Sequence, residues 1–538
     1  MSRAFAVITL VVACHRTPRP VSIAPLPRGA YAHYLAGKHA LYRDDTDTAA
    51  RELQAAAAAA PDQPMIVVEL ARAFAKLKRD AAARDVLTAA RKKWPDHAQV
   101  WLASGEVLEQ ATKYGDAIGA YRRAIELEPT EERAYVGLAR TQLLAHDGDA
   151  AERTLRTLVK QVPDSVEGHY RLAQRLDQRG DRNAATAELR AVLEREPDHL
   201  DARLDLARML RRMGKLAEAV EQTRSAFDRA GQPMDIAEEL FWVLCEADDR
   251  QGAIDLLTLL DDDRSDADAL ASVAQFQRML GRTPESRLVA EHIKVMDADL
   301  GTIVHALTDL AEGITLPAAA RALTVPPTSP RFAEARRVAV VALLQAGEPR
   351  RALDAMLKRS EPDWVYLEAR VRVALGETPV VAKLEPFLQA RIAVEARDSK
   401  RALAILEPEL KKKPDNVALL NLAGYLLVER HERLPDAERY LAHARDLQPG
   451  DPQILDSWGW LLLQRGRVRD AIRALDRAYR FAPREPEILL HLAAAWAADR
   501  APKYAVELLD RAAKLGPTPD VAARIHALRA KLVLPSTP

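Results

Sequence analysis

The sequence predicts an all-α fold, an α-solenoid superhelix of about a dozen helix-turn-helix units. Aromatic residues make up only 5% of the 538 residues, alanine is abundant, and no run alternates β-branched with polar side chains. Five prolines also recur every 34 residues, at positions 61, 95, 129, 163 and 197. Because proline cannot continue a helix, this spacing predicts where each unit ends.

The unit at residues 451–483 has the clearest pattern. Its first helix carries Trp458 and Gly459, its second carries Ala471 and Leu475, and a proline closes the unit. Small side chains at Gly459 and Ala471 let the two helices approach closely, while Trp458 and Leu475 fill the space around that contact. One such unit cannot bury its other face, so we expect the rest of the chain to supply neighbouring units.

A small residue recurs in the same register as the prolines, at Ala49, Ala83, Ala117, Ala151, Ala185 and Ala219. The predicted first helices repeat an apolar pattern, for example Leu70, Ala71 and Phe74, and then Trp101, Gly105 and Leu108. Position by position, these residues resemble the tetratricopeptide repeat (TPR), and the chain is identified as a member of that family. The resemblance implies a superhelix whose first helices line a concave, protein-binding surface.

The first 14 residues, MSRAFAVITLVVAC, have one early cation and a short apolar run before Cys14. This pattern predicts a signal peptide, and its end resembles the bacterial lipobox, which implies lipidation of Cys14. Residues 15–28 contain four prolines and are expected to form an extended tether. By the same resemblance, His15 favours the outer membrane, with the protein facing the periplasm. The alternative is an ordinary apolar N-terminus on a cytoplasmic protein.

Further boundaries follow from the register of the repeats. Residues 29–312 are expected to form an N-terminal array, and the Pro-rich segment 313–330 a break. Degenerate helical repeats are expected at 331–382, followed by a C-terminal array with a capping helix at 383–534. Whether there are two arrays or one superhelix with an insertion stays open.

Composition and motifs argue against several classes of function. Lys plus Arg and Asp plus Glu both number 78, so no global positive field attracts nucleic acid. The sequence has no phosphate-binding loop, HExxH, CxxC or GxSxG motif. We therefore expect no enzymatic activity, catalytic residue, cofactor, metal or small-molecule substrate. His491 is expected to be a packed helix residue rather than a ligand.

Candidate binding residues lie on the expected concave faces. In the C-terminal array they are Asn421, Tyr425, Gln453, Asp456, Trp460 and Leu463, where Tyr425 and Trp460 give the aromatic character typical of binding hot spots. The alternative is that Trp460 packs under a loop. In the N-terminal array a charged strip is formed by Arg72, Glu106, Arg140, Gln174 and Arg208, suited to an extended charged peptide or merely solvated. Neither strip reproduces the lysine and asparagine clamp of TPR chaperone receptors.

About 100 residues near the C-terminus have a second resemblance. An Asn-x-x-Gly-Tyr start at Asn421 and the segment Asp451–Trp460 resemble a group of proteobacterial TPR lipoproteins. Some members are outer-membrane adaptors of a periplasmic carboxyl-terminal processing protease. The resemblance implies a lipid-anchored scaffold or adaptor whose partners are a protease or cell-envelope assembly machinery. Alternatives are an accessory protein for secretion, pilus or exopolysaccharide assembly, and a cytoplasmic regulatory scaffold.

Overall fold

The computed structural model describes residues 27–262 and 266–533. Within these ranges the chain forms thirty α-helices and no strand, as the sequence predicts for an α-solenoid. None of the helices there is both long enough and apolar enough to span a bilayer. The predicted signal peptide with Cys14, and all but the last two residues of the tether, lie outside the described residues. The chain divides into two compact units, Met1–Pro197 and Asp198–Pro538.

The first unit consists of helix pairs joined by tight turns. Several second helices begin at an aspartate whose carboxylate accepts a hydrogen bond from a backbone N–H in the first turn, as at Asp45, Asp147 and Asp181. The helices of this unit are α1 Arg28–Tyr42, α2 Thr46–Ala59, α3 Pro64–Lys76, α4 Asp80–Lys93, α5 Ala98–Gln110, α6 Tyr114–Leu127, α7 Glu132–Leu144, α8 Gly148–Gln161, α9 Val166–Arg179 and α10 Arg182–Arg195.

In the second unit, first and second helices form pairs from α11 to α20 and again from α22 to α29. Helix α21 stands without a second helix, and α30 ends the unit. The helices are α11 Leu200–Arg212, α12 Leu216–Arg229, α13 Met234–Glu246, α14 Arg250–Asp262, α15 Ala267–Met279, α16 Thr283–Met296, α17 Ala298–Ala311, α18 Thr315–Ala322, α19 Phe332–Gln345, α20 Pro349–Ala355, α21 Pro362–Ala374, α22 Pro386–Glu395, α23 Ser399–Lys412, α24 Val417–Glu429, α25 Leu434–Leu447, α26 Pro452–Gln464, α27 Val468–Phe481, α28 Pro486–Ala498, α29 Pro502–Lys514 and α30 Pro519–Val533.

The two periodic signals of the sequence have clear structural roles. Each of the five prolines lies two residues beyond the end of a second helix, from α2 to α10. The six recurring alanines, from Ala49 to Ala219, are fully buried. A larger side chain at these positions would push the paired helices apart, so the register of small residues sets the helix spacing.

A residue with left-handed backbone geometry follows each first helix, one or two positions after its end. In the first unit these residues have φ between 56° and 86° and recur every 34 residues, at Asp44, Lys78, Thr112, His146 and Gly180. The left-handed residue reverses the chain within about three residues, which places the second helix against the first. Only one of the five is glycine, the residue that adopts this geometry without steric cost.

The unit at 451–483 packs as its sequence indicates. A methyl group added to Gly459 would lie 2.5 Å from Cγ of Leu475, so only glycine permits this approach of α26 to α27. Ala471 is fully buried. Trp458 is half-buried and packs against apolar side chains of the repeats before and after its own. The Arg445 guanidinium lies over its ring, 4.4 Å from the ring centroid.

The Pro-rich segment 313–330 contains a short helix, α18. Its alanines share one apolar cluster with α17, α19 and α21, including Ile303 before the segment and Ala335 after it. The apolar cluster is therefore continuous through the segment. The division of the chain into two compact units falls between Pro197 and Asp198. Irregularity is concentrated later, at residues 356–361 and 375–385, where short non-helical stretches flank α21.

Within the second unit, α27 and the residues just after it contact the carboxyl ends of much earlier helices. Arg477 donates a hydrogen bond to the carbonyl of Glu246, the last residue of α13, and Arg480 pairs with Asp248. Arg484 donates to the carbonyl of Ala311, the last residue of α17, at 2.9 Å. Guanidinium groups suit these positions because helix carboxyl ends carry partial negative charge and unpaired carbonyls.

Candidate functional site

The charged strip predicted in the N-terminal array is paired within the protein. In the first unit, Arg72 donates to Glu106 at 2.9 Å and Arg140 donates to Glu109 at 2.6 Å and 3.1 Å. Gln174 accepts a hydrogen bond from Arg171 at 3.3 Å. The two arginine–glutamate pairs link first helices of successive repeats, so their opposite charges neutralise one another along the strip.

Arg208, the fifth residue of that strip, lies in the second unit. Its guanidinium makes two hydrogen bonds of 3.1 Å to the carboxylate of Glu239. This bidentate geometry is the strongest form of arginine recognition by a carboxylate. The strip therefore offers a partner fewer free charges than its sequence indicates.

A cleft of about 610 Å³ opens beside the strip in the first unit. Its acidic residues outnumber its two arginines, Arg133 and Arg140, and they are Glu106, Glu128, Glu131, Glu132 and Glu167. Several of these glutamates already bind neighbouring groups, since Glu131 accepts from Gln99 and Glu132 from Ser165. The cleft is thus acidic but largely satisfied by internal hydrogen bonds.

The residues predicted for the C-terminal groove lie on α24 and α26. Gln453 is exposed, Leu463 and Asn421 are partly buried, and Asp456 is buried at 6% exposure. Tyr425 and Trp460 are each partly buried. The structure brings Tyr425, Asp456 and Trp460 together around His491 of α28, whereas Gln453 and Leu463 take no part in these contacts.

Asp456 and His491 form a buried pair at the centre of this cluster. Nδ1 of His491 donates to both carboxylate oxygens of Asp456, at 2.9 Å and 3.0 Å, and the imidazole is completely buried. The Trp460 ring stacks on the imidazole with centroids 4.3 Å apart and an interplanar angle of 16°. These contacts hold the imidazole between α26 and α28.

Arg524 of α30 extends into the same cluster. It donates to Nε2 of His491 at 3.1 Å, to Glu429 and Glu487 at 3.3 Å each, and to the Tyr425 hydroxyl at 3.4 Å. The Tyr425 hydroxyl in turn donates to Glu487 at 2.6 Å, and the Arg524 guanidinium lies 5.7 Å from the centroid of the Trp460 ring. We call this site the guanidinium pocket, defined by Tyr425, Glu429, Trp460, Glu487 and His491.

Burial and charge shift the titration of two residues in the pocket. Burial and the nearby carboxylates of Glu487 and Glu429 raise the pKa of Tyr425, so its hydroxyl stays protonated. Burial lowers the pKa of His491, but the charge of Asp456 and its hydrogen bond outweigh burial and raise that pKa overall. Arg524 opposes this effect, because its positive charge lowers the pKa of His491.

Sequence reasoning missed the contributions of α28 and α30. Asn421, Asp456 and His491 recur at intervals of 35 residues, so they occupy equivalent positions on three successive first helices. That spacing could have placed His491 on the groove. Glu487 lies one helical turn before His491 and shares its face. For Arg524 the sequence carries no comparable signal, because α30 is a single last helix and no second helix follows it among the described residues to confirm the register.

Models of the tetratricopeptide repeat match most of the regular helix pairs. One matches residues 34–98, 81–132, 387–452 and 457–518, and another model with the same description matches residues 108–176 and 178–237. Together they cover more than half of the chain. Such repeats generally serve as protein-interaction scaffolds.

Individual proteins resemble this chain in parts. The TPR repeat-containing protein PA4667 of Pseudomonas aeruginosa is 36% identical over 99 residues, which is 18% of this chain and 17% of that protein's length. The thermophilic TPR protein TTC0263 of Thermus thermophilus aligns with 34% of this chain and 98% of its own, at 19% identity and a TM-score of 0.29. The structure of Naa15/Naa10 bound to HypK-THB aligns with 93% of this chain and 96% of its own, at 13% identity and a TM-score of 0.31. On the family models and the helix pairs, this chain belongs to the tetratricopeptide repeat family.

Proposed function

We propose that this protein is a non-enzymatic scaffold, lipid-anchored at Cys14 and facing the periplasm, which binds partner proteins at the first helices of its second unit. The leading role is that of an adaptor for a cell-envelope enzyme such as a processing protease. Support for this role comes from the motifs at Asn421 and Asp451–Trp460, which fall on the helices that form the guanidinium pocket.

One observation carries the binding proposal. Two buried polar atoms beside the guanidinium pocket, Oδ1 of Asn421 and Nε1 of Trp460, have no hydrogen-bond partner among the described residues. An unpaired buried polar atom costs about 1–3 kcal/mol, so a ligand that displaces the side chains covering these two atoms and pairs both of them would recover that cost. One is an acceptor and the other a donor, which matches the N–H and C=O of a partner's main chain.

Alanine substitutions of the two tryptophans of α26 test this proposal. Trp458→Ala should lower stability by about 3 kcal/mol, since Trp458 packs against two repeats. Trp460→Ala should cost about 2 kcal/mol or more in partner affinity. Its stability cost should be only about 1 kcal/mol, the size of one lost aromatic stack. Partners captured from detergent-solubilised membranes by the wild type would be titrated against both variants, and thermal melts would report stability.

The outcomes of that experiment separate packing from binding. Retention of full partner affinity by Trp460→Ala, with a stability loss equal to that of Trp458→Ala, would make Trp460 a packing residue and refute this binding surface. The identity of the captured proteins decides the role. A periplasmic protease supports the adaptor, whereas secretion, pilus or exopolysaccharide components would point to an assembly accessory, and cytoplasmic proteins would contradict the proposed location.

The proposed anchor predicts the cellular fraction of a Cys14 variant. One acyl chain binds a membrane only marginally, whereas several chains on one residue hold it firmly. Cys14→Ser should therefore move the protein from the membrane fraction to the soluble fraction, or leave an unprocessed precursor. Cys245→Ser is the matched control, because Cys245 is a buried, free cysteine of α13. A wild-type protein found in the soluble fraction with Met1 retained would refute the anchor.

A further inference from the structure

The guanidinium pocket has the chemistry of a receptor for arginine. Carboxylates of Glu429 and Glu487 accept from the two terminal nitrogens of Arg524, and the Trp460 ring offers a π face. Nε2 of His491 supplies a further acceptor when the imidazole is neutral. Arginine suits such a set, because its planar fork donates several hydrogen bonds at fixed angles and stacks on aromatic rings. A lysine ammonium is a compact point charge and would bind only some of these acceptors.

Arg524 occupies this pocket with loose geometry. Its hydrogen bonds to Glu429 and Glu487 measure 3.3 Å, whereas charge-assisted bonds of this kind are usually about 2.7–2.9 Å. Elsewhere in the chain, Arg140 reaches Glu109 at 2.6 Å and Arg72 reaches Glu106 at 2.9 Å. Arg524 is carried by α30, whose apolar packing fixes the position of its backbone, whereas an arginine on a free segment could adjust its approach.

Two further features suit the pocket to a ligand that comes from outside. It is open to solvent on one side, since the side chain of Glu487 is 42% exposed and that of Arg524 is 26% exposed. The atoms without a hydrogen-bond partner, Asn421 Oδ1 and Trp460 Nε1, belong to α24 and α26, and both helices also carry pocket residues. Asn421 lies one helical turn before Tyr425 on the same face of α24.

Helix α30 does not depend on Arg524 for its position. Val521 and Ile525 of α30 are buried in the same apolar cluster as α28 and α29, with Leu528 and Leu532 packed against it. Removing the Arg524 side chain should therefore vacate the pocket while the helix stays in place. The vacated pocket would present the carboxylates of Glu429 and Glu487 to any cation that enters.

We propose that the guanidinium pocket binds an arginine side chain of a partner protein, and that Arg524 occupies the pocket as an internal competitor in the free protein. This inference rests on the proposed scaffold function and names the chemistry of the partner. Since only the fraction of molecules with Arg524 displaced can bind, the competitor lowers the apparent affinity by that fraction. The partner segment is thus a basic one, with at least one exposed arginine.

The test uses the full chain and N-acetyl-arginine-N′-methylamide as the probe, with binding followed by calorimetry. Arg524→Gln keeps much of the side chain but removes its charge, and it should bind the probe at least about tenfold more tightly than the wild type. Adding Glu429→Gln and Glu487→Gln to Arg524→Gln should remove the gain in affinity for the probe. The citrulline analogue should not bind, and the lysine analogue should bind more weakly than the arginine probe.

Arg529→Ala is the matched control, because Arg529 lies on α30 but pairs with Asp510 at the surface, at 3.0 Å. It should bind the probe as the wild type does, and thermal melts of both variants show whether α30 remains folded. Equal binding of the probe by wild type and Arg524→Gln, or a gain that survives loss of both glutamates, would overturn the proposal. If the arginine proposal fails but the wild type still captures partner proteins from solubilised membranes, the scaffold function stands. If the wild type captures no partner protein, the scaffold function itself is refuted.

Discussion

Tyr121→Ala should produce the largest loss of stability in the first unit, about 3–5 kcal/mol. Tyr121 of α6 is completely buried, and its ring fills the space left by two glycines on neighbouring first helices. A methyl group added to Gly105 or to Gly137 would lie 2.6 Å or 2.5 Å from this ring. Because both glycines lack side chains, nothing nearby can expand into the cavity that alanine would leave.

The hydroxyl of Tyr121 makes a smaller, separate contribution to stability. It donates to Glu109 at 3.0 Å, and Glu109 also accepts from Arg140 and Thr141. Burial and the charge of Glu109 raise the pKa of Tyr121, so the hydroxyl remains a donor. Tyr121→Phe should therefore cost only about 1 kcal/mol, the net value of one hydrogen bond.

Denaturant unfolding of the full chain, with hydrogen exchange over residues 98–144, measures both variants of Tyr121. Tyr42 is 91% exposed in the same unit, and Tyr42→Ala should change stability by less than about 0.5 kcal/mol. Loss of protection confined to α5, α6 and α7 is expected, since each repeat contacts only its neighbours. A Tyr121→Ala variant as stable as Tyr42→Ala would mean that the glycine pair does not shape this core.

The repeat fold was predictable because it depends on a few positions in a fixed register. Prolines after second helices and buried alanines such as Ala49 are set by local sterics, which a single sequence shows directly. The ends of first helices were harder to predict, since residues such as Lys78 and Thr112 take the left-handed geometry where glycine would be the usual signal. The contact of Arg477 with Glu246, 231 residues apart, depends on superhelical geometry rather than on any local pattern.

The candidate site was predictable in part for the same reason. Tyr425, Asp456 and Trp460 could be placed on one side of the helices because helical periodicity fixes which residues share a face. Periodicity does not say which groups bind each other. The pairing of Asp456 with His491, and of Arg72 with Glu106, depends on the distance between successive repeats. Hence several residues predicted to bind a partner also have hydrogen-bond partners within the protein, and their binding role stays a prediction.

Asp456→Ala should have the largest effect on stability in the second unit, about 3–5 kcal/mol. The substitution leaves Nδ1 of His491 without its acceptor at a site with no exposure to water. Removing one partner of a buried pair exposes the full desolvation cost of the other. Asp456→Asn should cost less, because the amide oxygen can still accept the hydrogen bond from Nδ1.

The cost of Asp456→Asn should also depend on pH, and the sign follows from the raised pKa of His491. A group whose folded pKa lies above its ordinary value, here 6.5, contributes stability that is fully present below that value. This contribution is lost as pH rises through the folded pKa, because the imidazole then becomes neutral. Asp456 and Glu487 favour the charged imidazole, while burial and Arg524 oppose it. Asp456→Asn removes the largest favourable charge.

The free energy of unfolding of wild type and Asp456→Asn should therefore differ most below about pH 6.5 and converge as pH rises. Chemical unfolding of the full chain between about pH 5.5 and 8.5 measures this difference. Urea is the denaturant, because it is uncharged and does not add to the ionic strength that screens charges. The exposed His526 of α30 supplies the control, and His526→Gln should follow the wild type across the range. Asp456→Ala should stay destabilised at every pH, since it removes the acceptor itself. A pH-independent gap between wild type and Asp456→Asn would show that His491 is neutral throughout, held by the hydrogen bonds of Asp456 and Arg524 rather than by charge.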